Sequence, residues 1–362
     1  MAGTSTCGRR TELVHRGSPV RDFALAAARI LDRSVQFDGV CLQTLDPETL
    51  LPTGEVAENA LPEQARARAW QFEFGAGDVN TFQSLHRSGR RAASLSEATG
   101  GDLDRSLRHR TLRAPNGFGD ELRAVLVSET SVWGALTLER ASGGGPFSAR
   151  DVGVVASMSG HLAEGLRRAI LHTAPYVQHQ QYEADPGLAL LAADDSILLT
   201  DAPADRWLAE LATENGVRHL PVVAAVASRA RGIDPALARA RVRTESGTWL
   251  IVRGSTLVGE GEACTAVTLQ PAQRHDLAPL IADAYQLTER ERAVTELIAQ
   301  GLATNAIARR LRLSPWTVQD HLKSIFDKVG VSTRGELVAH VFLLRHGPLL
   351  TERRSSPAAL AA

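Results

Sequence analysis

The stretch from Thr304 to Gly330 reads TNAIARRLRLSPWTVQDHLKSIFDKVG. Thr304 stands where a short helix through Ile307, Ala308 and Leu311 would be capped. Leu313-Ser314-Pro315 then forms a tight turn, with Ser314 as N-cap and Pro315 at the first helical position, where its missing N–H costs nothing. The helix that follows places Val318, Leu322, Ile325 and Val329 on one stripe, which must face a core. Its other face carries Trp316, Thr317, Gln319, Asp320, Lys323 and Asp327, and Gly330 stops it. Two short helices joined by a tight turn, the second with a hydrogen-bonding face, are what a reader of the DNA major groove requires. That groove is about 12 Å wide and admits one helix.

Working outward, Leu287-Thr288-Glu289-Arg290-Glu291 opens a preceding helix with Thr288 and Glu291 as a capping box, and Gly301 ends it. Thr333 caps a fourth helix holding Leu337, Val338, Val341 and Phe342. From Tyr285 to Arg345 there are nine basic and six acidic residues, so this segment carries +3 while the whole chain carries -1. Both lysines of the chain, Lys323 and Lys328, fall here.

The residues Leu287-Thr288-x-Arg290-Glu291, Asn305-x-Ile307-Ala308-x-x-Leu311, Ser314-x-x-Thr317-Val318-x-x-His321-Leu322-x-x-Ile325, Lys328-x-Gly330-Val331 and Arg334-x-Glu336-Leu337 resemble the LuxR/NarL-type helix-turn-helix family over about 60 residues. The resemblance implies that the third helix reads bases and that the fourth, with Leu337, Val338, Val341 and Phe342, forms a dimer contact. It puts Gln319, Asp320 and Lys323 where the family contacts bases. Asn305, Ser314, Trp316, Thr317, His321, Lys328 and Arg334 fall where contacts go to the DNA backbone or support the helix. The family often has a basic residue at the Gln319 position and another at that of Ala306, so the recognised sequence does not transfer from relatives. Plainer readings stand beside these: Asn305 as a helix-start cap, His321 and Trp316 as packing residues, Lys323 as a solvated charge.

Upstream, the pattern divides into a tail (1–17), a unit at 18–172, a linker (173–186), a unit at 187–271 and a second linker (272–283). The helical module at 284–346 and a tail (347–362) complete the chain. The first unit has an opening helix through Phe23, Ala27 and Leu31, a strand at Val40–Leu45 and a hairpin of 122–127 with 132–138. A helix capped by Ser148 and Asp151 closes it. It resembles a GAF domain. The second has strand–turn–strand at 187–200, a helix opened at Asp201-Ala202-Pro203, and later strands at 248–253 and 264–269. It resembles a PAS domain. The expected fold class is therefore multidomain α+β: a GAF-like α/β domain, a PAS-like α/β domain and an all-α four-helix module. Both sensor-like folds wrap a sheet around a small cavity, and no residue identifies a ligand or cofactor.

Of 362 residues, 44% are hydrophobic and 22% charged, which suits several globular cores. Cys7, Cys41 and Cys264 are too far apart for a disulfide framework or a cysteine zinc site. Apolar runs stop near eight residues against the about 20 that span a membrane, and the polar start has no signal-peptide core. No G-x-S-x-G, H-E-x-x-H or P-loop lysine is present, so no enzyme is expected. The expectation is a cytoplasmic, homodimeric transcription regulator. Its partners would be double-stranded DNA, a small-molecule effector if the sensor-like units bind one, and RNA polymerase if it activates. The alternative is a signalling module whose terminal helices hold a protein partner.

Overall fold

A computed structural model describes residues 20–74, 78–173, 185–211, 221–244, 246–258 and 264–342. The expected tails, most of the 173–186 linker and the 259–262 turn lie outside them. Those residues divide into two compact units, the chain passing from one to the other between Ala284 and Tyr285.

The first unit holds two antiparallel five-stranded sheets. β1 (Gly39–Leu45), β2 (Pro52–Glu58), β3 (Ala92–Ser94), β4 (Phe118–Ser128) and β5 (Ser131–Ala141) are ordered β2-β1-β5-β4-β3. β6 (Gly187–Leu191), β7 (Ile197–Thr200), β8 (Arg239–Arg243), β9 (Trp249–Leu257) and β10 (Cys264–Pro271) are ordered β7-β6-β10-β9-β8. In each sheet, then, the first, fourth and fifth strands lie at the centre, in the same arrangement.

Helix α1 (Val20–Asp32) covers one face of the first sheet. The connection from β2 to β4 carries the short helices α2 (Glu63–Ala69), α3 (Gln71–Phe74), α4 (Phe82–Arg87) and α5 (Leu95–Thr99). The long α6 (Ala149–Thr173) begins at the expected cap, with Asp151 N–H donating to Ser148 Oγ at 3.2 Å and Ser148 N–H to Asp151 at 2.8 Å. Its Val155, Met158, Leu162 and Leu166 pack with α1 on Leu122, Ala124, Leu126, Leu136 and Leu138, so its apolar stripe serves its own domain. Ser159, which interrupts that stripe, donates to the Val125 carbonyl at 2.6 Å and accepts from Val127 N–H at 3.2 Å, tying α6 to β4.

In the second half of the unit come α7 (Ala202–Leu211), α8 (Pro221–Arg231) and α9 (Arg274–Ala284). Two features depart from the expected division. First, the segment expected as a linker at 272–283 is largely the helix α9. Its Leu277, Leu280 and Ala284 are buried, the last two in the core of the first sheet, and Asp276 accepts from Gln273 N–H at 2.7 Å to start it. Polar residues around Pro271 and Pro279 give it linker composition, yet the apolar spacing is helical. Second, one hydrophobic cluster runs through both sheets, joining Trp70, Phe74, Phe82 and Val125 to Val222, Val226, Leu250 and Val267. Polar bonds cross the same seam. Arg241 grips Asp46 with two bonds of 2.7 and 2.5 Å, Gln71 donates to Asp195 at 2.7 Å, and Arg229 donates to the Thr49 carbonyl at 2.8 Å. The two sheets thus share one core.

The second unit contains α10 (Glu289–Ala299), α11 (Thr304–Leu311), α12 (Pro315–Val329) and α13 (Arg334–Phe342). Val294, Ile298, Ile307, Ala308, Val318, Leu322, Ile325 and Leu337 are buried in it.

Candidate nucleic-acid interface

The geometry of the second unit starts from its caps. Thr288 and Glu291 form the reciprocal capping box of α10, with Thr288 N–H donating to Glu291 at 2.7 Å. The same carboxylate reaches α12, accepting from Ser324 Oγ at 2.7 Å and from Lys328 Nζ at 2.7 Å. Lys328 also donates to the Gln286 carbonyl at 3.0 Å. Burial pushes the Glu291 carboxyl up, but the bonds from Lys328, Ser324 and Thr288 outweigh it and hold the group at about 2. This hub clamps α12 on α10 and occupies Lys328 within the domain.

The turn between α11 and α12 is set by Arg312, a non-glycine residue at φ 55°, after which Leu313 N–H donates back to the Ala308 carbonyl at 2.9 Å. Ser314 caps α12, accepting from Thr317 N–H at 3.0 Å, and Gly330 ends it at φ 75°. At the start of α11 the N-cap is Ala303, with no side-chain bond. Thr304, expected as that cap, is the first helical residue, and its hydroxyl accepts from Gln319 Nε2 at 3.4 Å.

With Val318, Leu322, Ile325 and Val329 buried, α12 turns Trp316, Gln319, Asp320, Lys323 and Asp327 to the exterior. Asn305 on α11 is exposed, while Thr317 and His321 are half-buried. Arg334 is tied down, donating to the Leu302 carbonyl. Leu337 is fully buried inside the domain, so it is a core residue and cannot face a partner. Val338 is half-buried, and the side chains of Val341 and Phe342 lie outside the described residues. Sequence reasoning passed over Arg309, Arg310 and Arg312, which are exposed around the turn. The signal was the Arg-Arg-Leu-Arg run at 309–312, which entered the charge count without a place on the fold.

The first unit contains a second feature. Strand alternation puts Cys41 and Gln43, Glu121 and Arg123, and Thr137 and Glu139 on the sheet face opposite Leu42, Leu122 and Leu136. Glu121 and Glu139 are directly opposed across β4 and β5, and Arg113 pairs with both. Arg108 pairs with Glu121 and Asp78, and Arg123 with Glu73 at 2.5 Å while lying 3.7 Å over the Phe82 ring. Burial raises Glu121, but Arg108, Arg113 and Arg123 overcome it and hold its carboxyl far below the ordinary range. Glu139 is shifted upward by burial, against the pull of Arg113. Glu73, Arg108, Arg113, Arg123 and Glu139, with Trp70 and Arg66, line a small cleft whose free space is about 30 Å³.

The match to known proteins falls on the second unit. Residues 285–341 fit the family described as bacterial regulatory proteins, luxR family. These residues are a LuxR-type helix-turn-helix domain. The transcriptional regulatory protein UhpA of Escherichia coli K12 is 45% identical over 69 residues, which are 18% of this chain and 35% of that protein. The nitrate/nitrite response regulator protein NarL of the same strain is 41% identical over 80 residues, 22% of this chain and 37% of that one. The chain thus spans about a third of the length of these relatives, within the LuxR-type region. Among solved structures, the VqsR LBD domain of Pseudomonas aeruginosa covers 47% of this chain and 96% of its own at 16% identity and a TM-score of 0.32. A GAF domain/HD domain protein of Geobacter sulfurreducens covers 45% and 98% at 18% identity and a TM-score of 0.29.

Proposed function

We propose that this chain is a homodimeric, sequence-specific DNA-binding transcription regulator. The observation that carries the reading is the division of α12 into a buried apolar stripe and an outer face of Gln319, Asp320 and Lys323. In that role Gln319 and Lys323 address base edges, and Asp320 accepts from cytosine N4. Asn305, Arg309, Arg310 and Arg312 meet phosphates, and Lys328, Arg334 and Ser314 hold the helix in place. Two copies would read half-sites about one helical turn apart. The two-sheet unit acts as the sensor, GAF-like in its first half and PAS-like in its second. A small polar effector would enter by opening the cleft of charged and aromatic side chains, whose free space as it stands is about 30 Å³. Dimer contacts through α13 and contact with RNA polymerase in an activating role complete the reading.

The test is fluorescence anisotropy with a random-sequence duplex across a salt series. The three exposed arginines per protomer that meet phosphates, at a slope of about 0.9 each, give a log–log slope of about -2.7 for one domain and about -5.4 for a dimer. A slope near zero, or no binding at low salt, would favour terminal helices that hold a protein partner instead.

A further inference from the structure

The short helix α3 contributes Glu73, which is buried at 5% exposure, to the wall of the cleft in the first sheet. Its carboxylate accepts from Phe82 N–H at 2.8 Å and pairs with Arg123 at 2.5 Å. Arg123 also donates to the Asn80 carbonyl at 3.0 Å. Burial lowers this guanidinium's hold on its proton, and the pull of Glu73 does not make up the difference. Every carboxylate oxygen on the cleft wall is engaged: those of Glu73 by Arg123 and Phe82 N–H, those of Glu139 by Arg113 and Leu61 N–H. Donors are left over instead. The Nε–H groups of Arg108 and Arg123, both on the wall, have no hydrogen-bond partner among the described residues. A buried donor in that position costs free energy that an acceptor recovers. Simply adding an anion would be resisted by charge, because Glu55, Asp78 and Glu121 stand behind the arginines. Exchanging an anion for Glu73 leaves the charge count unchanged. The head of a glutamate side chain has the size of acetate, so the space it vacates admits one, beside free space for about two or three water-sized groups.

We infer that Glu73 is a built-in surrogate ligand, and that the cleft takes a small planar oxyanion of acetate or nitrate size in its place on Arg123. The inference rests on the reading of the cleft as the effector's entry, and it names the effector's chemistry. It also supplies a route for the signal, because α3 is tied to the second sheet. Gln71 donates to Asp195 at 2.7 Å, and the Arg229 guanidinium of α8 lies 3.9 Å over the Phe74 ring. The chain passes so close that a Cβ on Gly232 would stand 2.7 Å from the Phe74 carbonyl. Drawing Glu73 out of the cleft therefore moves α3 against α8.

The experiment follows thermal unfolding of the full chain and of Glu73→Gln, which keeps an acceptor for Phe82 N–H and removes the charge. Chloride is replaced stepwise by acetate or by nitrate at constant ionic strength, and methylguanidinium chloride serves as the cation arm. A ligand of about four heavy atoms should half-saturate the unsubstituted chain at about 0.1–10 mM. Glu73→Gln should melt lower in chloride and recover in acetate or nitrate, with half-saturation about tenfold lower because no internal carboxylate competes. Hydrogen exchange on peptides from α3 and α8 should change together at saturation. A response to acetate alone assigns a carboxylate effector and a response to nitrate alone an inorganic one; either supports the exchange. Equal half-saturation in the two chains would overturn the surrogate role of Glu73. Saturable stabilisation by methylguanidinium instead of the anions would overturn the inference and leave the cleft as an effector site. No response of either chain to any of the three ions would remove both readings. Should Glu73→Gln fail to fold in chloride, its refolding yield with added acetate or nitrate reads the same rescue.

Discussion

Asp46→Ala is expected to weaken both sheets of the first unit together. Asp46 sits at the end of β1 and receives Arg241 of β8 through bonds of 2.7 and 2.5 Å, with a third from Arg241 N–H at 3.2 Å. Both side chains are almost fully buried, at 2% and 6% exposure. Burial alone lowers the guanidinium's affinity for its proton, and the bonds from Asp46 reverse that shift. Removing the carboxylate leaves a buried cation with Glu48, at 3.2 Å and partly in water, and the Asp276 carbonyl at 3.3 Å. Breaking a buried pair from one side costs about 3–5 kcal/mol, and the residual Glu48 contact lowers this to about 2–4. At a urea dependence of about 3 kcal/mol per molar, the midpoint should fall by about 1 M. Replacing Arg241 by Met in the same chain removes the orphaned charge and should recover the loss to within about 1 kcal/mol. Urea unfolding measures the loss. Hydrogen exchange followed on peptides from β5 and β9 shows whether both sheets lose protection equally. A loss below about 1 kcal/mol, or deprotection confined to β9, would refute the claim that the shared core makes the sheets one cooperative body.

Three further outcomes follow from the geometry. The Glu291 carboxyl is held at about 2 against an ordinary 4.5, so its stabilising effect on the DNA-binding domain should be complete above about pH 4.5 and fade as pH falls toward 2. Glu291→Gln should cost roughly 1–2 kcal/mol at neutral pH and flatten that dependence, as read by exchange protection of α10 and α12 peptides between pH 3 and 7. Arg310→Ala should reduce the salt slope of DNA binding by about one with no change in melting, whereas Lys328→Ala, which breaks the Glu291 hub, should lower the domain's melting temperature and leave the slope nearly unchanged. Gly134→Ala places a Cβ 2.4 Å from Leu166 Cδ1 and 2.6 Å from the Gln43 carbonyl, so it should destabilise the first sheet by about 1–3 kcal/mol or more in urea unfolding.

The parts of this structure that were legible in the sequence are those written in local chemistry. Ser314-Pro315, the Thr288/Glu291 box and the Ser148/Asp151 box are each fixed by residues within four positions, and all are present as read. The stripe from Val318 to Val329 is likewise local, and it orients the outer face of α12. What escaped is whatever depends on strand register or on distant packing. Glu121 and Glu139 stand 18 residues apart in the chain and become opposed only when β4 and β5 pair, with Arg113 bridging them. Neither carboxylate looks unusual in isolation, since alternation puts both on a face that sequence alone marks as solvent. The shared core escaped for the same reason. The run from Val222 to Ala227 reads as any buried helix, and its being wedged between β9 and the helices α2 and α3 is decided in part by residues more than a hundred positions earlier in the chain. Leu337 shows the limit at a finer scale: a resemblance can assign a whole helix to a dimer contact, but helical phase decides which side chains are available. A residue at 0% exposure has already been claimed by its own domain, leaving only the flank around Val338 for any partner.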